Sequence, residues 1–280
     1  MTQAAPLRER SPAFTRRPSV AGYYYPDDPA ALAAQVDALT IAAQEPRPAR
    51  GVIAPHGSLA RSGAIAGAAF RQVQIPKRCI VLGPSHTGSA MAWSLMADGA
   101  YRTPLGEVPV DAECAGALRA RCPFLEVDAW AQRGEHAVEA VLPFLQRRGP
   151  ANLRVAPIIT GMPDEDQIER LADALIEVLQ SAGEPMLLVA SSDLSHYEPE
   201  AEGAAQDQEL LRLIGQLDGT GLLRYVQEAR SAMCGAGAVA CVLEAARGLG
   251  AQRARVARYG TSADAGGDPG AVIGYAGIVV

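Results

Sequence analysis

The stretch Cys79-Ile80-Val81-Leu82-Gly83-Pro84-Ser85-His86 decides the fold. Its leading apolar residues predict a strand that is buried on both faces, and Gly83-Pro84 predicts a turn that ends just before a histidine. An apolar strand, a turn and a histidine occur in the same order at Gly51–His56 and at Met186–His196. Because such strands alternate with helices of about ten residues or more, the chain predicts a mainly parallel or mixed central sheet with helices on both faces.

The other predicted elements continue this alternation along the chain. Strands are predicted over Gly51–Ala54, Cys79–Leu82, Ala92–Ala97, Val108–Val110, Arg154–Ile159, Met186–Ala190, Arg253–Tyr259 and Ala271–Val280. Helices are predicted after a turn at Pro26–Pro29 through about Gln44, and over Ser62–Val73, Ala112–Arg121, His136–Arg148, Glu165–Ser181, Ala201–Leu217, Leu222–Ala229 and Ala236–Arg247.

One α/β domain is predicted over residues 19–280, since no linker-like shift in composition, repeat or low-complexity tract divides the chain. Residues 1–18 contain Arg8, Arg10, Arg16 and Arg17 and are predicted to form a flexible, solvated arm. No apolar stretch follows Arg16-Arg17, as it would in a twin-arginine signal, and we therefore expect a cytoplasmic protein.

The composition excludes several classes of function. The 280 residues carry a formal net charge of −6 and only 5% aromatic residues, which does not favour nucleic acid as a partner. No run of apolar residues is long enough for a membrane helix. The five cysteines are spread along the chain without a CxxC pair, which argues against a disulfide framework or a structural zinc ribbon. We expect a small-molecule ligand.

The four histidines are the strongest indication of a site. Three of them, His56, His86 and His196, follow predicted strands, and the carboxyl ends of parallel strands meet at one edge of a sheet. The fourth, His136, begins a predicted helix beside Glu135. Imidazole is a good ligand for iron, zinc and copper, so the pattern predicts a metal site at this edge.

The remaining ligand is open from the residues alone. Cys234 precedes a predicted helix, whose positive end would favour a thiolate, although a buried inert cysteine fits the same spacing. Asp193 is the competing ligand, or an outer residue that orients a histidine. Glu135 could have the same outer role, or be a charge at a helix start. Gly235–Ala240 fits the GxGxxA pattern of dinucleotide sites, but no predicted strand leads into it, so nucleotide binding is not predicted.

In these motifs the sequence resembles the Memo family, which is called AmmeMemoRadiSam system protein B in many prokaryotic proteins. The resemblance begins at Ala21-Gly22-Tyr23-Tyr24-Tyr25-Pro26 and ends at Gly274-Tyr275-Ala276-Gly277. Its strongest blocks are Ala54-Pro55-His56, Gly83-Pro84-Ser85-His86, Glu135-His136 through Leu142-Pro143-Phe144, Ser191-Ser192-Asp193 with Ser195-His196-Tyr197, and Cys234-Gly235. Each block is weak alone, but all of them in this order are highly specific.

The resemblance implies a fold like that of class III extradiol ring-cleavage dioxygenases, a single α/β domain with a non-haem Fe(II) site. It implies His56, His86 and Cys234 as metal ligands and His196 as the acid/base residue. It also implies that a radical-SAM protein and a further protein of the same system are partners. Cys234 replaces the carboxylate of the dioxygenases, and a thiolate makes zinc or copper more competitive with Fe(II).

The chain departs from the family pattern beside the first histidine. His56 is followed by Gly57-Ser58-Leu59, where the family usually has Ala-Gly-Tyr, and Ala238 stands where a proline is common. The resemblance therefore predicts the ligand set but a different pocket lining, for which Ser85 and Tyr197 are further candidates.

Three functions are compatible with these residues. The first is a metal-dependent redox enzyme, an oxygenase of a small organic molecule, in which His196 moves protons and Asp193 tunes it. The second is a non-catalytic binding or adaptor protein with a vestigial pocket. The third is a zinc hydrolase with the same ligands. The sequence leaves open the metal, the substrate and the oligomeric state.

Overall fold

The computed structural model of the chain describes residues 14–41, 44–88, 93–161 and 164–280. Its strands are β1 Thr15–Arg16, β2 Gly51–Ala54, β3 Arg78–Pro84, β4 Ser94–Leu95, β5 Ala100–Thr103, β6 Gly106–Pro109, β7 Glu126–Val127, β8 Arg154–Thr160, β9 Met186–Ser191, β10 His196–Glu198, β11 Arg255–Thr261 and β12 Val272–Val279. Its helices are α1 Pro29–Leu39, α2 Leu59–Phe70, α3 Ala112–Arg121, α4 Ala137–Arg148, α5 Glu165–Ser181, α6 Glu200–Gly215, α7 Gly219–Glu228 and α8 Ala236–Gly248, with a 3-10 turn at Ser262–Ala265.

The central sheet is mixed, with a parallel core. Within the described residues its order is β10-β12-β2-β9-β3-β8-β4-β7, and β11 also pairs with β12. Strands β2, β9, β3 and β8 run parallel, whereas β12 is antiparallel to β2 and β4 is antiparallel to β8. Strands β5 and β6 form a hairpin in a small second sheet, which β1 joins.

The apolar run of β3 is buried on both faces of the sheet. Ile80 and Leu82 belong to a cluster that includes residues of α3, α5 and α8. Cys79 and Val81 point to the opposite face, into a cluster that includes residues of α1, α2 and α4. Successive side chains of a strand alternate between faces, so a strand with helices on both sides needs apolar residues at every position. The predicted α/β class, with helices on both faces, is confirmed.

Helix α1 and the strand near Trp93 are shorter than predicted. The prediction carried the first helix to about Gln44, but α1 ends at Leu39 because the Thr40 hydroxyl donates to the Val36 carbonyl (2.8 Å) at the end of the helix. Of the strand predicted over Ala92–Ala97, only Ser94–Leu95 is a strand among the described residues, and residue 92 lies outside them.

The predicted solvated arm is wrong at Thr15–Arg16. These residues pair with β5, and the fully buried Arg16 forms an ion pair with the buried Glu139 of α4. Its guanidinium also donates to the backbone carbonyl of Glu135. An ionic partner so distant in sequence leaves no local pattern, so the four arginines indicated solvent instead. Residues 1–13 of the predicted arm lie outside the described residues, and the domain limits 19–280 stay a prediction.

None of the helices in the described part of the chain is long and apolar enough to cross a membrane.

Candidate metal centre

The carboxyl-terminal edge of the parallel strands collects the predicted site residues. His56 follows β2, His86 follows β3, and Asp193 follows β9 by two residues. These strands are neighbours in the sheet, in the order β2, β9, β3, so the turns after them meet at one edge. The starts of two helices complete the edge: His136 precedes α4, and Cys234 lies two residues before α8.

Three histidines form a compact cluster at this edge. His56, His86 and His136 each offer one ring nitrogen, and these nitrogens lie within 4.8 Å of one another, close enough for a group that could hold a metal ion. The ring centroids are 5.0 Å apart for His56 and His86, and 4.4 Å apart for His86 and His136. The sequence left His136 without a role. Its position beside Glu135 at a helix start was the one available signal.

Hydrogen bonds fix the tautomer of His56. Its Nδ1 lies 2.9 Å from the Ser191 hydroxyl, and that hydroxyl donates its own hydrogen to the Ala137 carbonyl at 2.6 Å. Ser191 therefore accepts from Nδ1–H, and the lone pair of His56 is on Nε2. Burial lowers the pKa of His56 well below its usual value, and the neighbouring His86 and His136 lower it further. His56 is thus a neutral imidazole, the form that ligates metals.

Glu135 orients His86 in the same way. The fully buried carboxylate accepts from the backbone N–H of His86 and lies 2.9 Å from its Nδ1. Burial alone would raise the pKa of Glu135, but its hydrogen bonds and the charge of His86 outweigh burial and lower the pKa to about 2. An ionised carboxylate accepts Nδ1–H and leaves Nε2 of His86 with the lone pair. A carboxylate behind a histidine is the usual outer partner of a metal ligand.

His136 shares this carboxylate at a longer distance, because its Nδ1 lies 3.5 Å from Glu135 Oε1. Burial lowers the pKa of His136, and His86 adds to the effect. His136 is therefore favoured as a neutral imidazole, as His56 is.

Cys234 lies behind His56. Its Sγ is 3.3 Å from His56 Nε2, and the backbone N–H of Asp193 donates to the same sulfur at 3.4 Å. Burial raises the pKa of the Cys234 thiol. Zinc ligands at about 2.0 Å for nitrogen and about 2.3 Å for sulfur lie about 3.0–3.5 Å from each other at octahedral or tetrahedral angles. The Cys234–His56 separation fits two ligands of one ion, so this donor set fits a divalent ion such as iron, zinc or copper.

Asp193 contacts His56 rather than His196. Its Oδ1 accepts from the backbone N–H of His56 at 2.9 Å, and its Oδ2 lies 3.8 Å from His56 Nε2. Burial raises the pKa of Asp193. No hydrogen bond joins Asp193 to His196 in the described part of the chain, so the predicted tuning of His196 has no direct contact behind it.

His196 lies on β10, the strand that pairs with β12. Its Nδ1 is 2.9 Å from the carbonyl of Leu194, which can only accept. Nδ1 therefore carries hydrogen and the lone pair of a neutral His196 is on Nε2. The next residue, Tyr197, is 75% exposed and has φ 62°, a left-handed conformation that costs a bulky residue about 1–3 kcal/mol.

All four histidines line one cleft of about 380 Å³. The described residues of its lining are Tyr23, Tyr24, His56, Gly57, Ser58, Arg61, His86, His136, Asp193, His196, Tyr197, Ile273 and Tyr275. Ser85 is not one of these lining residues, and its Oγ is buried with no hydrogen-bond partner in the described part of the chain. A larger depression of about 480 Å³ lies near the amino end of β2, where Arg47, Arg71 and Arg255 line it without a histidine or cysteine among its described residues.

The unusual residues after His56 change the cleft wall. Leu59, at the place of the family's usual tyrosine, is 6% exposed and packs in the core. A Cβ at Gly57 would lie only 3.1 Å from the ring and the hydroxyl of Tyr275. The phenols of the cleft instead come from Tyr275, Tyr197 and the tyrosines near the amino terminus.

The GxGxxA-like stretch Gly235–Ala240 has a packing explanation. As predicted, a helix rather than a strand precedes it, since α7 ends at Glu228. A Cβ at Gly235 would lie 2.5 Å from the Cβ of Ser192 and 2.6 Å from the Ser191 carbonyl. The glycine lets the chain after Cys234 approach the end of β9.

Comparison with known proteins agrees with this architecture. The profile of the family described as Memo-like protein matches residues 16–279, and the chain belongs to this family. It is 34% identical over 277 residues to a MEMO1 family protein of Methanopyrus kandleri, with 94% of this chain and 98% of the relative covered. A MEMO1 family protein of Methanothermobacter thermautotrophicus is also 34% identical, over 273 residues, with 93% of this chain and 98% of the relative covered.

A solved structure shares the fold. The crystal structure titled as an uncharacterized protein, JW3007, from Escherichia coli K12 aligns with a TM-score of 0.54 at 13% identity, covering 82% of this chain and 98% of its own. The shared architecture is consistent with the dioxygenase-like fold that the resemblance implies.

Proposed function

We propose that this Memo-family protein is a mononuclear metal-dependent redox enzyme, of oxygenase type, that acts on a small organic molecule, with Fe(II) as its metal. The observation that carries the proposal is the pair of fixed tautomers, which leaves Nε2 of His56 and of His86 without hydrogen beside the third histidine of the cluster. Lone pairs crowded in a buried site repel one another, and a bound cation would relieve this repulsion.

Within this proposal His56, His86 and Cys234 hold the ion, as the resemblance implies, and His136 is a fourth donor close to them. A bound Fe(II) would supply redox chemistry and open coordination positions. Glu135 keeps His86 in its ligating tautomer, and Asp193 holds the backbone of His56.

His196 is the proposed proton carrier. Its Nδ1–H donates to the Leu194 carbonyl, so Nε2 can accept the proton of an acidic substrate hydroxyl and later return it. It lines the same cleft as the cluster, which is the arrangement that a base beside a metal-bound substrate requires.

The test is reconstitution. Protein purified without oxygen is loaded with Fe(II), and oxygen uptake is followed with a panel of catechols. The proposal expects uptake that His56→Ala and His196→Ala both reduce severely, whereas only His56→Ala weakens metal binding. Arg170→Gln, at an exposed ion pair of α5, serves as the control and leaves both unchanged.

The two rival functions give different results in this test. A pure protein without stoichiometric metal, unchanged by His56→Ala, would indicate a binding or adaptor protein with a vestigial pocket. Stoichiometric zinc with no oxygen uptake would favour a hydrolase instead.

A further inference from the structure

The cleft contains a positive charge that the proposed metal chemistry does not use. Arg61 is the third residue of α2, is exposed, and lines the cleft together with the four histidines. Among the described lining residues it is the one lysine or arginine. No ion pair or side-chain hydrogen bond joins its guanidinium to another residue in the described part of the chain.

Most arginines of similar exposure in this protein are paired. Arg147 forms a two-pronged hydrogen bond with Asp37, and Arg212 does the same with Glu209. A guanidinium presents a rigid, planar fork of donors that matches a carboxylate, and in the cleft the fork of Arg61 is free for a ligand.

The other lining residues do not neutralise this charge. Asp193 is buried, and one of its carboxylate oxygens accepts the backbone N–H of His56. Burial raises the pKa of Tyr24 and Tyr275, although the nearby Arg61 opposes the shift, so both phenols keep their hydrogen. The electrostatic balance of the cleft therefore favours an anion.

The size of the cleft restricts the anion. A volume of about 380 Å³ is near the lower end for small-molecule sites. Tyr24, Tyr197 and Tyr275 supply flat apolar surface beside the polar groups, which suits a planar ring.

Resting on the proposed function, we propose that the substrate is a small aromatic carboxylate, and that Arg61 binds its carboxylate while the ring lies toward the histidine cluster. Arg61 is then a specificity-determining residue. It sets which ring enters the cleft and in which orientation, and takes no part in the transfer of protons or electrons.

The test compares two probes that differ in one group. The probes are 3,4-dihydroxybenzoate and 3,4-dihydroxybenzyl alcohol, which share the ring and its hydroxyls but differ in the carboxylate. Calorimetry at low ionic strength measures the binding of both to the full chain, metal-free and loaded with redox-inert Zn(II). We expect the carboxylate to bind about 3- to 10-fold more tightly than the alcohol, a range that allows for the exposure of Arg61.

The variants assign the preference to one side chain. Arg61→Gln abolishes it and leaves the affinity for the alcohol unchanged, and Arg61→Lys retains only part of it because an ammonium lacks the planar fork. Arg71→Gln, at the other end of α2 and outside the described cleft lining, is the matched control and retains the full preference. Melting curves of the variants confirm that they fold.

A preference that survives in Arg61→Gln, or equal binding of the two probes by the unaltered protein, would overturn the proposal. Neither result depends on turnover, because Zn(II) does not support redox chemistry. Failure of oxygen uptake would therefore count against the proposed function alone, and failure of Zn(II) binding would leave the metal-free measurement to decide the role of Arg61.

Discussion

Replacing Glu135 by glutamine tests how the outer residues prepare the metal centre. The Glu135 carboxylate accepts from the backbone N–H of His86, lies 2.9 Å from its Nδ1, and also accepts from the backbone N–H of Ala137 at 2.9 Å. A glutamine has a single acceptor oxygen and points an N–H₂ group at the remaining donors. At least one of these hydrogen bonds is lost, and His86 is no longer held in the tautomer that leaves its Nε2 free.

Loss of such an outer partner lowers metal affinity about 10- to 100-fold, which corresponds to about 1.4–2.7 kcal/mol. Competition with a chelator of known affinity, using Zn(II) and Fe(II), measures this change directly. The control is Glu177→Gln, at the exposed ion pair with Arg121, which leaves affinity unchanged. A Glu135→Gln protein that folds and binds both metals as tightly as the unaltered chain would refute the tautomer reasoning.

Three further predictions concern stability. Arg16→Met leaves the buried Glu139 without its ionic partner and should cost about 3–5 kcal/mol in denaturant unfolding, and an effect below 1 kcal/mol would contradict the buried ion pair. The pKa of Glu135 is about 2 in the fold against 4.5 when exposed, so its stabilisation, on the order of 3 kcal/mol, is fully present above pH 4.5 and is lost as pH falls toward 2. Unfolding measured across that range should show the loss, and a flat profile would disprove it. Gly235→Ala places a Cβ 2.5 Å from the Cβ of Ser192 and should destabilise the metal-free protein by about 1–3 kcal/mol in thermal melts, whereas an unchanged melting temperature would show that the end of β9 can yield.

The edge of the sheet could be predicted because its signals are local. The apolar runs before His56, His86 and Asp193 form the adjacent strands β2, β3 and β9, and parallel pairing alone brings their ends together. Predicted bounds differ from the observed strands by a few residues at most, since burial on both faces requires an apolar residue at every position of such a strand.

The features that sequence reasoning missed depend on contacts between distant residues. Arg16 and Glu139 are 123 positions apart, so a buried ion pair could not be distinguished from a solvated arm. His136 joins the cluster because Glu135 is held at the end of β3, a contact that neither residue type indicates by itself. The role of Asp193 was assigned to the wrong histidine for the same reason.

The central claim, that the histidine cluster with Cys234 holds one divalent ion, is tested most directly by metal analysis combined with X-ray absorption at the metal edge. Protein purified without oxygen and reconstituted with Fe(II) should contain one ion per chain, with a ligand shell of imidazole nitrogen and one sulfur that disappears in Cys234→Ser. Absence of stoichiometric metal after reconstitution, or an oxygen-only shell that His56→Ala leaves unchanged, would contradict the claim.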